Sequence, residues 1–243
     1  MATPTTIPAT RTPALLQRRP FYIGASLLMG LIAVVGFWPT YFGPLVTGTI
    51  AQPLLIHIHA TVFTGWLVLF LTQAVLAATK RVAWHLRLGK IGIGYGVLLV
   101  VVGLITGALR SSRLPLGGQA EGLLFAATSD MIVFSGFFAA AIVYRRQPQV
   151  HKRLMMVAAN MLLIAAVARM TFLPPPPARL PLVLAIWFLP LMSAIAFDWW
   201  SQRRLHPVYV MGLGAFGLRI LTVPIHTTEA WGAITRAVVA LVT

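Results

Sequence analysis

Apolar residues along this chain form long runs, and short segments that carry Pro, Gly or cations separate one run from the next. Each run is close to the ~20 residues that an α-helix needs to cross the hydrocarbon core of a bilayer. The pattern predicts an all-α fold, a polytopic transmembrane helical bundle of about seven helices. The predicted spans are 22–38, 52–78, 88–109, 122–144, 154–172, 182–199 and 208–225.

The composition supports this fold class. Hydrophobic residues make up 58% of the 243 residues and charged residues only 9%, whereas a soluble domain carries about 25% charged residues. The first residues are rich in Thr, Pro and Ala and show no helical period, so we expect residues 1–19 to be a disordered cytoplasmic tail. Residues 20–243 are predicted to be a single transmembrane helical domain.

The net charge of +15 is explained by where the cations lie. They cluster in alternate segments between the spans, and such clusters stay on the cytoplasmic side of a membrane. This predicts a cytoplasmic N-terminus and a periplasmic C-terminus in a bacterial inner membrane. The partners we expect are anionic headgroups, not nucleic acid. The clusters contain Arg18 and Arg19; Lys80, Arg81, Arg87 and Lys90; Arg145, Arg146, Lys152 and Arg153; and Arg203 and Arg204.

The second span carries two histidines. His57 and His59 are two residues apart, so on a helix they point roughly 200° away from each other. His59 shares its stripe with Trp66 and Gln73. Because a helix that is polar on two faces is costly to expose to lipid, we expect this span to lie centrally in the bundle.

Three further ionisable residues fall inside predicted spans, where each costs a few kcal/mol or more unless it is paired or wetted. In the predicted orientation they lie in the outer half, at the depth of the two histidines. We therefore predict a polar pocket that opens to the periplasm and binds a small ligand or cofactor, with Asp130 compensating Arg169 or Arg219. The alternative is an ion pair with a purely structural role. The predicted pocket residues are His57, His59, Asp130, Arg169, Arg219 and His226.

Other histidines lie in or beside the cytoplasmic clusters. For His85, His151, His206 and Asp198 we expect solvated positions that face anionic lipid. The alternative is an inner ligand set made of His85 and His151, because both begin helices. In the third span, five glycines near one helical face predict a packing surface for another helix. They are Gly89, Gly92, Gly96, Gly103 and Gly107.

Residue counts exclude several kinds of chemistry. The chain has no cysteine, so it forms neither disulfides nor thiolate metal sites. Its four acidic residues make a carboxylate-bridged metal site or a paired-carboxylate hydrolase hard to build. The last span contains no Lys, which excludes a retinal Schiff base. Histidine is left as the strong transition-metal ligand, and no metal site is assigned from the sequence.

Short motifs from the second to the seventh span resemble a group of uncharacterised bacterial multi-pass inner-membrane proteins of about seven helices. More loosely, histidines on successive spans resemble membrane cytochromes of the b561 kind, which implies b-type haem. The chain departs from that pattern because His85 and His151 lie at helix starts rather than at mid-helix. The motif residues are His57, His59, Ala60, Trp66 and Gln73; Trp84, His85, Arg87, Leu88 and Gly89; His151 to Met155; and Asp198, Arg203, Arg204, His206 and Pro207.

Three functional hypotheses follow. The first is a ligand or cofactor site, in its sharpest form haem b in membrane electron transfer, held by His57 or His59 with His226, or by His85 with His151. The second is a small transporter or permease in which Asp130, Arg169 and the histidines line a path. The third is a noncatalytic subunit or assembly factor that binds membrane partners or a second copy of itself. A lipid- or quinone-modifying enzyme is a further alternative, and catalytic residues are not assigned.

Overall fold

Every regular element in the described chain is helical. The computed structural model describes residues 12–242, with side chains from residue 20 onward. Residues 1–11 of the predicted tail lie outside the described residues, and the first helix begins at Thr12, within the predicted tail 1–19. The α-helices are α1 (Thr12–Phe37), α2 (Gly43–Val46), α3 (Leu54–Ala78), α4 (Val82–Ser111), α5 (Gln119–Val143), α6 (Pro148–Met161), α7 (Ile164–Val167), α8 (Arg179–Gln202), α9 (Pro207–Leu221) and α10 (Glu229–Val242).

Seven helical segments of the described chain are long and apolar enough to cross a membrane, which confirms the predicted architecture. A π-helical segment, Trp38–Phe42, extends the first span, and 3₁₀ segments, Tyr144–Arg146 and Val223–Thr227, end the fourth and the seventh. The spans are Pro20–Val46, Leu54–Ala78, Val82–Ser111, Gln119–Arg146, Pro148–Val167, Arg179–Gln202 and Pro207–Thr227.

Successive spans run antiparallel, so helix starts meet helix ends. Phe21 in α1 stacks on Phe197 near the end of α8, with ring centroids 4.1 Å apart. Gln73 near the end of α3 donates to the carbonyl of His85 at the start of α4. We call this end of the bundle the basic end, because it holds the cation clusters between α3 and α4, α5 and α6, and α8 and α9. The other is the opposite end.

Proline and glycine set several helix boundaries. Pro148 and Pro207 occupy the first turns of α6 and α9, where a missing amide hydrogen costs no helical hydrogen bond. Before α5, Gly117 and Gly118 have φ values of 96° and 139°, which favour glycine. Their amides donate to the carboxylate of Glu121, which thereby satisfies free donors at the start of α5.

The glycines of α4 form the predicted packing surface along part of their length. A Cβ atom at Gly107 would lie 2.5 Å from the Cβ of Ala127 in α5, and one at Gly103 would lie 2.7 Å from the sulfur of Met131. Gly96 lies against the ring of Phe138 in the same way. A larger residue at Gly107 would clash with Ala127, and at Gly103 and Gly96 the facing side chains of α5 would have to shift, so the predicted packing surface is confirmed for these three positions.

The second span is not central, and that prediction was wrong. In α3 only Val62 and Trp66 are buried, and the buried share of its most apolar window is 11%, the smallest of the seven. Thr61 and Thr72 each donate to the carbonyl four residues earlier in the same helix. These two hydroxyls are therefore satisfied without neighbouring helices, which lowers the cost of placing this face of α3 at the periphery.

The central position belongs to α6, where the buried share of the fifth span reaches 61%. Asn160 donates through Nδ2 to the carbonyl of Trp187 in α8 at 3.0 Å, and Trp187 returns a bond from Nε1 to the carbonyl of Asn160 at 3.2 Å. Trp187 also stacks on Phe216 of α9. The hydrogen bonds and the ring stack together join α6, α8 and α9.

Two features beyond the predicted spans complete the fold. The fifth span is interrupted between α6 and α7 and ends at Val167, so Arg169 lies just beyond it rather than within the predicted 154–172. The short amphipathic helix α10 was not predicted. It packs against α4 and α5 at the opposite end, where Trp231 donates from Nε1 to the carbonyl of Glu121.

Candidate functional site

A cavity of about 440 Å³ lies at the basic end of the bundle. Its walls come from the basic-end halves of α1, α3, α4, α5 and α6. The lining is mostly apolar and includes the aromatic rings of Trp66, Phe70 and Phe138. Volume and lining are typical of a site for a small molecule or cofactor.

Two imidazoles from different helices lie on the cavity wall, at the starts of α4 and α6. Nδ1 of His85 lies 3.3 Å from the carbonyl oxygen of Gln73, and Nδ1 of His151 lies 2.7 Å from that of Ala141. A carbonyl oxygen only accepts, so each Nδ1 carries a proton and donates it. In a neutral ring with this tautomer, Nε2 carries the lone pair that can ligate a metal.

This pair has the chemistry of axial metal ligands. A backbone carbonyl on Nδ1 fixes the tautomer and the orientation of a ligating histidine. His85 and His151 are also close enough to interact electrostatically. The described residues contain no group of three or more His, Cys, Asp or Glu side chains that could hold a metal ion. The pair therefore suits a metal that arrives with most of its ligands already in place.

The rest of the wall leaves room for a flat ligand and offers it polar groups. Gly89 and Gly92 line the cavity, and a Cβ atom at either position would only reach ordinary van der Waals contact with a side chain of α3, Gln73 at 3.7 Å and Leu69 at 3.4 Å. Trp66 Nε1 and Gln73 Oε1, on two lining residues, are buried and have no hydrogen-bond partner among the described residues. Such groups are costly unless a ligand or water reaches them.

A buried ion pair lies beside the cavity. Arg153 donates from Nε to a carboxylate oxygen of Asp198 at 2.6 Å, and each side chain is 1% exposed. The solvated, lipid-facing position expected for Asp198 was therefore wrong. Its partner is contributed by α6, 45 residues away in the sequence, and local composition does not reveal that contact.

Four polar residues of the wall were not among the predicted site residues. They are Tyr22 of α1, Gln73 of α3, and Gln149 and Lys152 of α6. The ammonium of Lys152 lies 4.7 Å from the centroid of the Tyr22 ring. Lys152 directly follows His151 in the sequence. Its position beside a possible ligand could have indicated a place in the site, but Lys152 was assigned only to a cytoplasmic cation cluster.

The residues predicted for the outer-half pocket fall into two separate groups in the structure. Asp130 accepts from Arg219 Nε at 2.8 Å, which selects Arg219 rather than Arg169 as its partner. The guanidinium of Arg219 lies over the ring of Phe125. His226 lies near Gly122, also on α5. These residues join α5 to α9 and the segment that follows it.

The other predicted pocket residues lie on α3 and beside α1. Nδ1 of His57 is 3.0 Å from the hydroxyl of Tyr41, and His59 stacks on Phe63. Arg169 interacts electrostatically with His59 and lies over the ring of Phe37. No hydrogen bond or ring contact joins His226 to the α3 histidines in the part of the chain described. Outer-half haem ligation by His226 with His57 or His59 stays a prediction.

His206, outside the spans, has a structural role. Its Nδ1 accepts from the amide of Val208 and so caps the start of α9. Burial lowers the pKa of His206 from its ordinary value of 6.5, and Arg153 adds to that effect while Asp198 opposes it. The neutral ring required by the cap is therefore favoured in the folded protein.

The short motifs quoted above meet at the cavity. Trp66, Gln73, His85, Gly89 and His151 belong to three separate motifs and all line it. No protein-family model, curated protein or solved structure matches the chain. The resemblance to bacterial multi-pass proteins and to b561-type cytochromes therefore stays a prediction.

Proposed function

We propose that the chain is a b-type haem protein of the bacterial cytoplasmic membrane and that His85 and His151 ligate the haem iron in the basic-end cavity. The observation that carries the proposal is the pair of imidazoles on one cavity wall, each with Nδ1 held by a backbone carbonyl. This observation favours the inner ligand set over the outer pocket as the cofactor site in our proposal.

Haem suits the number of ligands. A porphyrin supplies four nitrogen ligands to iron and asks the protein for at most two axial ones. A bare transition-metal ion needs three or more protein ligands, and the described chain brings no such group together. The apolar and aromatic lining, with glycine at two wall positions, suits the flat and largely apolar face of the macrocycle.

Bis-imidazole ligation suits electron transfer. His85 and His151 would together hold the iron through two protein ligands, and a haem held in this way would supply one-electron redox chemistry rather than a site for oxygen or substrate. The hydrogen bonds from Nδ1 would make the two imidazoles stronger ligands, and the low-polarity wall would tune the reduction potential of a bound haem. The electron donor and acceptor would be other redox components at the membrane.

We also propose that the basic end faces the cytoplasm, because Lys and Arg in short connections are retained there. The haem would then lie in the inner half of the bilayer. Anionic headgroups would contact the cation clusters around it.

The experiment is an absorption spectrum of the detergent-purified protein, with a pyridine haemochrome assay for stoichiometry. We expect a sharp reduced α-band and about one haem per chain. His85→Ala and His151→Ala should each lose most of the haem or convert it to a five-coordinate spectrum. His226→Ala is the matched control, because His226 also places Nδ1 against a backbone carbonyl but does not line the cavity.

Two results would refute the proposal. One is wild-type protein that has no haem after expression with haem precursor and takes up none when haemin is added. The other is a haem spectrum unchanged in both cavity variants but lost in His226→Ala, which would return the cofactor to the outer half. Mass spectrometry of an organic extract shows in the same sample whether a quinone occupies the protein instead.

A further inference from the structure

One cation lines the cavity beside a proposed iron ligand. Lys152 is the only Lys or Arg among the described residues of the wall, and it follows His151 on α6. Its ammonium lies over the ring of Tyr22, another wall residue, which positions the flexible side chain. An anionic group of a molecule in the cavity would lie close to this positive charge.

A neutral donor accompanies this cation. Gln149 lies one helical turn before Lys152 and also lines the cavity. Its Oε1 accepts from Nη1 of Arg153 at 3.1 Å. Arginine only donates, so this bond fixes the orientation of the amide, and Nε2 is the group of Gln149 that remains as a donor. Lys152 and Gln149 together form a donor pair suited to a carboxylate.

We propose that Lys152, assisted by Gln149, binds a carboxylate of the cofactor and so sets the orientation of the macrocycle in the cavity. This rests on the proposed haem function, because haem b carries two propionates on one edge. That edge would face α6 and the basic end, and the apolar edge would face Trp66 and Phe138 deeper in the bundle. The inference adds a specificity determinant that axial ligation alone does not require.

The test compares two probes, haemin and haemin dimethyl ester, which have the same macrocycle but differ in the charge of the propionates. Both are titrated into haem-depleted full-length protein in detergent. We expect the wild type to bind haemin about tenfold or more tightly than the ester, the range of a charge-assisted hydrogen bond. In Lys152→Met the preference should fall to about twofold or less, and Lys152→Arg should retain most of it.

Lys90→Met is the matched control, because Lys90 belongs to α4 near the basic end but does not line the cavity. It should keep the wild-type preference. Equal affinity of the wild type for the two probes would overturn the inference while leaving haem binding intact, and so would a preference unchanged in a folded Lys152→Met. If the wild type binds neither probe, the proposed function itself fails. Since the wild-type comparison decides on its own, a misfolded variant does not protect the inference.

Discussion

Replacing Asp198 by Asn would leave a buried charge without its counter-ion. Arg153 and Asp198 are each 1% exposed, and 2.6 Å separates their bonded atoms. Asn has nearly the shape of Asp, so the change removes charge rather than volume. What Arg153 keeps is neutral: the carbonyl and amide oxygens of Gln149 and the ring of Tyr209.

The expected loss follows from this geometry. Removing one partner of a buried ion pair costs about 3–5 kcal/mol, whereas neutral hydrogen bonds in membrane proteins contribute about 0.6 kcal/mol on average. Because Gln149 stays in place, we expect Asp198→Asn to cost about 3 kcal/mol. For a protein of this size that corresponds to a fall in Tm of roughly 6–12 °C.

Asp130→Asn is the matched comparison, since it removes the negative charge from the other ion pair in the same way. Arg219 and Asp130 have side chains 10% and 12% exposed, so part of the charge remains hydrated. We expect a smaller cost, about 1–2 kcal/mol. Unfolding followed by circular dichroism in mixed micelles of increasing SDS content gives both values on one scale.

A compensating variant separates charge burial from packing. In Arg153→Met with Asp198→Leu the pair is replaced by apolar side chains of similar size, a change that is often neutral or stabilising. We expect the double variant to recover most of the stability lost in Asp198→Asn. The reasoning fails if Asp198→Asn costs less than about 1 kcal/mol or if Asp130→Asn costs as much.

Two further predictions concern pH and topology. His206→Asn keeps a side-chain cap for α9 but removes the titrating group. Because the folded pKa of His206 is lowered, its contribution to stability is present above pH 6.5 and is lost as the pH falls. The Tm of the variant should therefore fall less than that of the wild type between pH 7 and pH 5. Equal losses would contradict this. The chain has no cysteine, so in right-side-out vesicles an impermeant maleimide should label Thr47→Cys at the opposite end but not Lys80→Cys at the basic end. The reverse pattern would show that the basic end faces out.

The seven spans could be predicted because each is encoded locally, by apolar residues over the length of one bilayer crossing. The spacing of Gly103 and Gly107 also predicted a packing surface on α4, although it did not identify α5 as the helix that packs there. Helix α10 was missed because it is short and amphipathic, and its partner Glu121 lies 110 residues away.

The site was harder to predict because it depends on which helices become neighbours. The sequence offered two histidine sets, and its composition did not show that the set of His85 and His151 borders a cavity. Arg153 is the sharpest case. Because Arg153 belongs to a cluster of cations, it was assigned to a cytoplasmic turn. The start of α6 instead packs inside the bundle and buries Arg153 against Asp198.

The central position of α6 connects these observations. The most buried span is also among the least hydrophobic, so its stability depends on specific polar contacts: Asn160 with Trp187 at mid-helix and Arg153 with Asp198 at the basic end. These contacts fix the rotation of α6 about its axis more narrowly than lipid-facing leucines would. A fixed rotation of α6 keeps His151 and Lys152 on the wall of the cavity. We infer that the ion pair is retained for the position it gives to these side chains, so Asp198→Asn should weaken haem retention as well as stability, whereas Asp130→Asn should affect stability alone.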